Sequence, residues 1–199
     1  MSFTAALCAH RLARAGTDAP GEPRLFVRLA IGPAFDRETW TPSGPGPGAS
    51  YTGWAPALNV AVGWRVRPRL VVAGDLLLSS IVNRTESYRG GSYALADTLH
   101  LLDTVSVFAD YSLWRYPRLH VGGGPGLLVV TEVDTHMGST ATNVGFALSA
   151  YIGYRRHLAR AWSIGVIGRL TAYAFGSDAP APPASSIGLL PVLLLTFSR

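Results

Sequence analysis

The sequence predicts an all-β protein: an eight-stranded antiparallel up-and-down transmembrane β-barrel. Three observations point to it. Apolar residues make up 48 % of the 199-residue chain and charged residues only 15 %, against roughly 25 % charged in an average soluble domain. No run of about 18 apolar residues occurs, so helical membrane spans are excluded. Instead, segments of strict alternation are joined by connections that run long, short, long, short along the chain, as in membrane barrels.

The clearest alternation lies between Asn143 and Tyr173. From Asn143 to Arg155, Val144, Phe146, Leu148, Ala150, Ile152 and Tyr154 share one face, and small or polar residues share the other. From Trp162 to Tyr173, Trp162, Ile164, Val166, Gly168, Leu170 and Ala172 stand against Ser163, Gly165, Ile167, Arg169, Thr171 and Tyr173. Side chains alternate faces along a strand. Each run therefore has one uncharged face for lipid and one polar face for the interior. Twelve residues at about 3.3 Å each reach roughly 40 Å, enough to cross a hydrocarbon core at a tilt.

In chain order, residues 1–23 are expected to be a flexible leader or a truncated signal remnant, because Phe3 to Ala9 makes only a weak apolar run. The barrel is expected over 24–199. Its first strand, Leu25 to Phe35, sets Leu25, Val27, Leu29 and Ile31 against Phe26, Arg28, Ala30 and Gly32. The second, Trp54 to Val66, carries Asn59 on its polar face, and Arg67-Pro68 makes a tight turn. The third, Arg69 to Val82, carries Asp75 on that face, and the fourth, Thr98 to Leu113, carries Asp110. The fifth spans Leu119 to Glu132, the Asn143–Tyr173 hairpin supplies two more, and Ser186 to Phe197 is the eighth. Four long loops, about 36–53, 83–97, 133–141 and 176–185, lie at the other end from the short turns. Pro125 and Pro191 fall inside strands, where each removes a ladder donor. A bulge at Gly124-Pro125 would accommodate the first and flip the faces beyond it. Strand eight is apolar on both faces, so its orientation stays open.

A charge on the lipid face near the midplane would cost about 2–4 kcal/mol for arginine, so Arg28, Asp75, Asp110 and Arg169 must face inward. With Asn59 they form a candidate interior polar network. Two readings stand: an ion or proton path, or a paired, hydrogen-bonded plug, since eight strands leave an interior just wide enough for side chains. Trp64, Tyr111, Tyr154, Trp162 and Phe197 fall on the lipid face near the short-turn end of their strands, as an interfacial girdle would. Phe35 and Phe146 fall near the other end.

All 17 basic residues are arginine, and the net charge is +5. Arginines gather beside the short connections and acids beside the long ones. That two-ended layout is unlike the single basic patch of a nucleic-acid binder. Cys8 is the only cysteine, so no disulfide framework or Cys-rich metal site is expected. His100, Asp103 and Ser106 make the nearest catalytic grouping, but their spacing puts His and Asp on opposite faces. No metal ligand spacing stands out. The run Gly122 to Gly126 lacks the Gly-Lys-Ser/Thr of a phosphate loop.

With its alternating strands, its Gly-rich segments and a last strand carrying Leu193, Leu195 and Phe197, the chain resembles the small eight-stranded outer-membrane β-barrels of Gram-negative bacteria, of the OmpA and OmpX type. The resemblance covers about 24–199. It implies residence in the bacterial outer membrane as a monomer, with lipid and the barrel-assembly machinery, engaged through the last strand, as partners. It also implies a structural or surface-binding role carried by the outer loops, with a possible extracellular ligand there. No catalysis, cofactor or nucleic acid is expected. A narrow passive channel for small or apolar molecules is one alternative. The other is a soluble lipocalin-like barrel, in which the apolar face would point inward.

Overall fold

The computed structural model describes residues 25–43, 47–82, 84–88, 91–94, 98–134, 138–158, 162–177 and 184–198. The leader expected over 1–23 lies outside them. Eight long strands form the staves: β1 (Leu25–Pro42), β2 (Ala49–Arg67), β3 (Leu70–Val82), β6 (Thr98–Ser112), β7 (Leu119–Asp134), β8 (Ser139–His157), β9 (Ser163–Ser177) and β10 (Ala184–Ser198). Two short strands, β4 (Thr85–Tyr88) and β5 (Gly91–Ala94), form a hairpin between β3 and β6. Each stave pairs antiparallel with its neighbours, and β1 pairs with both β2 and β10. The sheet closes on itself. Closure leaves the staves no free edge to aggregate or swap.

The alternation sorts the side chains. Leu29, Ile31, Leu58, Val62, Val105, Val107, Leu148, Ile152, Leu193 and Leu195 are exposed on the outside. Arg28, Asn59, Asp75, Asp110 and Arg169 are buried within. A soluble lipocalin-like barrel needs the reverse arrangement. One outward face is less uniform than the alternation predicts: Asp103, half-buried, sits on the outside of β6 opposite Leu78 and Val129.

Both prolines are absorbed without a bulge. Pro125 and Pro191 point outward and are exposed. Pairing of β7 with β6 lapses between Ser106↔Gly126 and Ala109↔Gly123, then resumes in the same register. On its other side β7 pairs continuously with β8. Likewise β10 stays paired with β9 throughout, while its ladder to β1 lapses between Ile31↔Leu195 and Ala34↔Val192, opposite Pro33, and again between Ala34↔Val192 and Arg37↔Leu189, at Pro191. Each proline therefore interrupts one seam only, and the faces beyond it do not flip. Strand β10 presents Leu190, Val192, Leu194 and Thr196 to the interior.

The outer loops are shorter than the sequence predicts. Much of 36–53 is strand, because β1 and β2 remain paired up to Trp40↔Ala49. Segment 83–97 holds the β4–β5 hairpin, and β4 pairs with β2 through Ser50↔Ser87 to Thr52↔Thr85. Strands also extend into 133–141 and 176–185, ending at Asp134 and Ser177 and restarting at Ser139 and Ala184. Polar residues there read as loop because the barrel wall continues above the apolar band, where water replaces lipid outside.

Candidate functional site

Two polar clusters occupy the interior. The lower one lies at mid-barrel and brings together all five residues of the candidate network. Asp75 is its hub: Asn59 and Arg169 both donate to it, Ser106 Oγ donates at 3.2 Å, and Arg28 lies at 3.6 Å. Arg28 also reaches Asp110 at 4.0 Å, and His120 Nδ1 lies 3.1 Å from the same carboxylate. Arg169 donates to Ser149 at 2.8 Å and to Thr171 at 3.2 Å. The Arg28 guanidinium sits over the rings of Phe108 (4.8 Å) and Tyr151 (5.1 Å). Gly122 leaves room for the Tyr151 ring, which would meet any Cβ there. With two cations against two carboxylates and aromatic rings between them, the cross-section is packed with side chains, as the narrow bore of an eight-stranded barrel allows.

The upper cluster was not legible in the sequence. It lies at the long-loop end, around Arg84, which is 2 % exposed. Arg84 Nη2 donates to Glu38 at 2.6 Å and lies 3.6 Å from Asp36. Its Nη1 donates to Glu132 at 3.0 Å and lies 2.8 Å from His100 Nδ1. Tyr173 donates to Asp36, and the Arg84 guanidinium covers the Tyr51 ring at 4.5 Å. Asp36, Glu38 and His100 bring ligand atoms within 4.8 Å of one another, a spacing that suits a metal ion. Here the guanidinium already supplies the positive charge among them.

Arg84 arrives by a shift of register. Ala57 faces Ser79 and Thr52 faces Thr85, so five residues of β2 match six on the opposite side. Inward positions change from odd at Ile81 to even at Arg84. An extra residue re-aims a side chain in this way at barrel rims. Above the cluster a cavity of about 430 Å³ opens outward, lined among others by Glu38, Tyr51, Arg84, His100, Glu132 and Phe175. We call it the vestibule. Glu132 stands at its rim, and hydrogen bonding from His100, then the charges of His100 and Arg84, hold its carboxyl below the usual carboxylate range.

The five girdle aromatics Trp64, Tyr111, Tyr154, Trp162 and Phe197 are all exposed on the outside near the short turns, and Trp162 stacks on Phe197 at 4.7 Å. At the opposite level Phe35 packs against Trp54 at 5.0 Å, and Phe146 is exposed. His100 and Ser106 point inward into different clusters while Asp103 points out, so the three are not assembled.

No protein-family model matches the chain, and no curated protein matches it in sequence. Solved structures do resemble it. The outer membrane protein OprG from Pseudomonas aeruginosa is 12 % identical with a TM-score of 0.56, over 92 % of this chain and 99 % of that one. The outer membrane protein AlkL, solved in DMPC lipid bilayers, is 14 % identical with a TM-score of 0.55, over 92 % and 94 %. Neisserial surface protein A is 14 % identical with a TM-score of 0.50, over 88 % and 98 %. At these identities the likeness is one of fold: the chain has the fold of the small outer-membrane barrels.

Proposed function

We propose that the chain is an integral protein of the bacterial outer membrane whose role is structural or surface-binding and is exercised at the vestibule end. The observation that carries this reading is the pairing of an apolar outer wall, bounded by two aromatic levels, with an interior crossed at mid-height by the buried Asp75 network. Loops and rims on a rigid scaffold are where binding residues collect. The vestibule adds an acidic rim and buried polar groups to such a scaffold. Short turns face the periplasm in this fold class, which places Glu38, Arg84, His100 and Glu132 toward the cell exterior. The partners are membrane lipid around the wall, the assembly machinery at β10 through Leu193, Leu195 and Phe197, and an external ligand at the vestibule. The barrel acts as a monomer.

The test is refolding from urea into detergent micelles and, in parallel, dilution into buffer. Boiled and unboiled samples are compared on a gel. A heat-dependent mobility shift and β-rich circular dichroism in detergent alone is the expected result. A soluble β-rich monomer in plain buffer would overturn the membrane assignment. Single-channel recording in planar bilayers then separates binding from transport: a plugged barrel shows no stable stepwise conductance. Reproducible steps would make the channel alternative the function.

A further inference from the structure

Arginine crowds the short-turn end. Arg65, Arg67 and Arg69 flank the β2–β3 turn, Arg115 and Arg118 lie between β6 and β7, and Arg155 and Arg156 end β8. Among the described residues at that end no carboxylate is exposed; the nearest, Asp110, is buried inside against His120.

These groups are drawn together across the three connections. Arg69 lies over the Trp114 ring at 3.8 Å, joining the first connection to the second. Arg155 donates to Ser112, and its backbone N–H donates to the Arg118 carbonyl at 2.9 Å, joining the third to the second. His157 registers the convergence: burial, then the charges of Arg155, Arg65 and Arg118, hold its imidazole below the ordinary histidine range. Arg69 Nη1 and Arg155 Nε are buried without a hydrogen-bond partner. Like charges gathered at one level repel one another, and unsatisfied donors add to the cost. An anion at this level would relieve both.

The collar stands at the level of Trp64, Tyr111, Tyr154, Trp162 and Phe197, hence at the lipid–water boundary, where interfacial aromatics sit beside the headgroups. Arginine presents a planar fork that grips phosphate oxygens in pairs, and this chain uses it for all 17 of its basic residues. We infer that the arginine collar binds the phosphates of anionic glycerophospholipids in the leaflet at the short-turn end. This rests on the membrane reading above.

The experiment uses the full chain refolded into nanodiscs of equal phosphatidylglycerol and phosphatidylcholine, with insertion scored by the heat-dependent gel shift. Lipids that stay bound on release from the disc are identified by native mass spectrometry. Retained phosphatidylglycerol is expected in excess by about threefold or more, since each basic group near an anionic surface adds attraction. In the exposed quadruple variant R67Q/R115Q/R118Q/R156Q the ratio falls to parity. Arg37→Gln, exposed at the opposite end, leaves it unchanged. Insertion with equal retention of both lipids would overturn the collar while leaving the membrane reading intact. Failure to insert in any lipid would overturn both. Displacement of the bound lipid by inorganic phosphate would reassign the collar to a free anion.

Discussion

At mid-height Arg28 and Arg169 face Asp75 and Asp110, two charges against two, sealed among Phe108, Tyr151 and the wall. At the mouth Arg84 and His100 face Asp36, Glu38 and Glu132, and a cavity of about 430 Å³ lies above them. The same residue types thus make a sealed network in one place and a water-reachable site in the other. A buried charge far from solvent persists only when it is paired. Near an opening, water shares the cost.

The sharpest way to break this contrast is at the hub. Asp75→Ala takes from Arg169 its carboxylate partner and leaves Arg28 with Asp110 alone, and is expected to cost about 3–5 kcal/mol. The check is the midpoint of urea unfolding in detergent, followed by the boiled-versus-unboiled gel shift. At the mouth, Arg84→Gln takes the guanidinium away from Asp36 and Glu38. Water access from the vestibule limits the expected loss to about 1–3 kcal/mol in the same assay. A loss equal to that of the hub would show the vestibule to be as dry as the plug. Ser149→Ala removes one neutral member of the lower network, an acceptor for Arg169 and a partner of Thr171 at 2.9 Å. About 0.5–1.5 kcal/mol is expected there.

The smallest effect is a pH dependence confined to the mouth. Glu132 ionises at lower pH in the folded protein than in the unfolded chain, because hydrogen bonding from His100 and the charges of His100 and Arg84 favour its carboxylate. A depressed carboxylate contributes stability above its unfolded pKa and loses it as pH falls through the folded value. Acidification below the ordinary carboxylate range should therefore loosen the vestibule before the staves. Fluorescence of Trp40, which lines the cavity, should follow that change. Glu132→Gln should abolish the part of the change that titrates with this group. A variant with an unaltered acid transition would detach Glu132 from it.

The course of the staves was legible because alternation is local. Residues two apart share a face whatever the rest of the chain does, so Arg28, Asp75, Asp110 and Arg169 could be assigned inward, and Trp64, Tyr111, Tyr154, Trp162 and Phe197 outward, strand by strand. The same reasoning could not resolve β10, whose two faces are both apolar, nor the sequel to Pro125. Those depend on neighbouring strands holding the register while one seam lapses.

By itself, then, the sequence determined the closed wall, its apolar exterior and the polar interior, because hydrophobic period and turn spacing are carried by short stretches. Only the tertiary structure decided the vestibule. Asp36 and Glu38 come from β1, Arg84 from the junction of β3 and β4, His100 from β6, Glu132 from β7 and Tyr173 from β9. No local pattern links residues so far apart, and a one-residue shift against β2 is what turns Arg84 toward them. Their meeting is a consequence of closure and register, which arise when all eight staves pair.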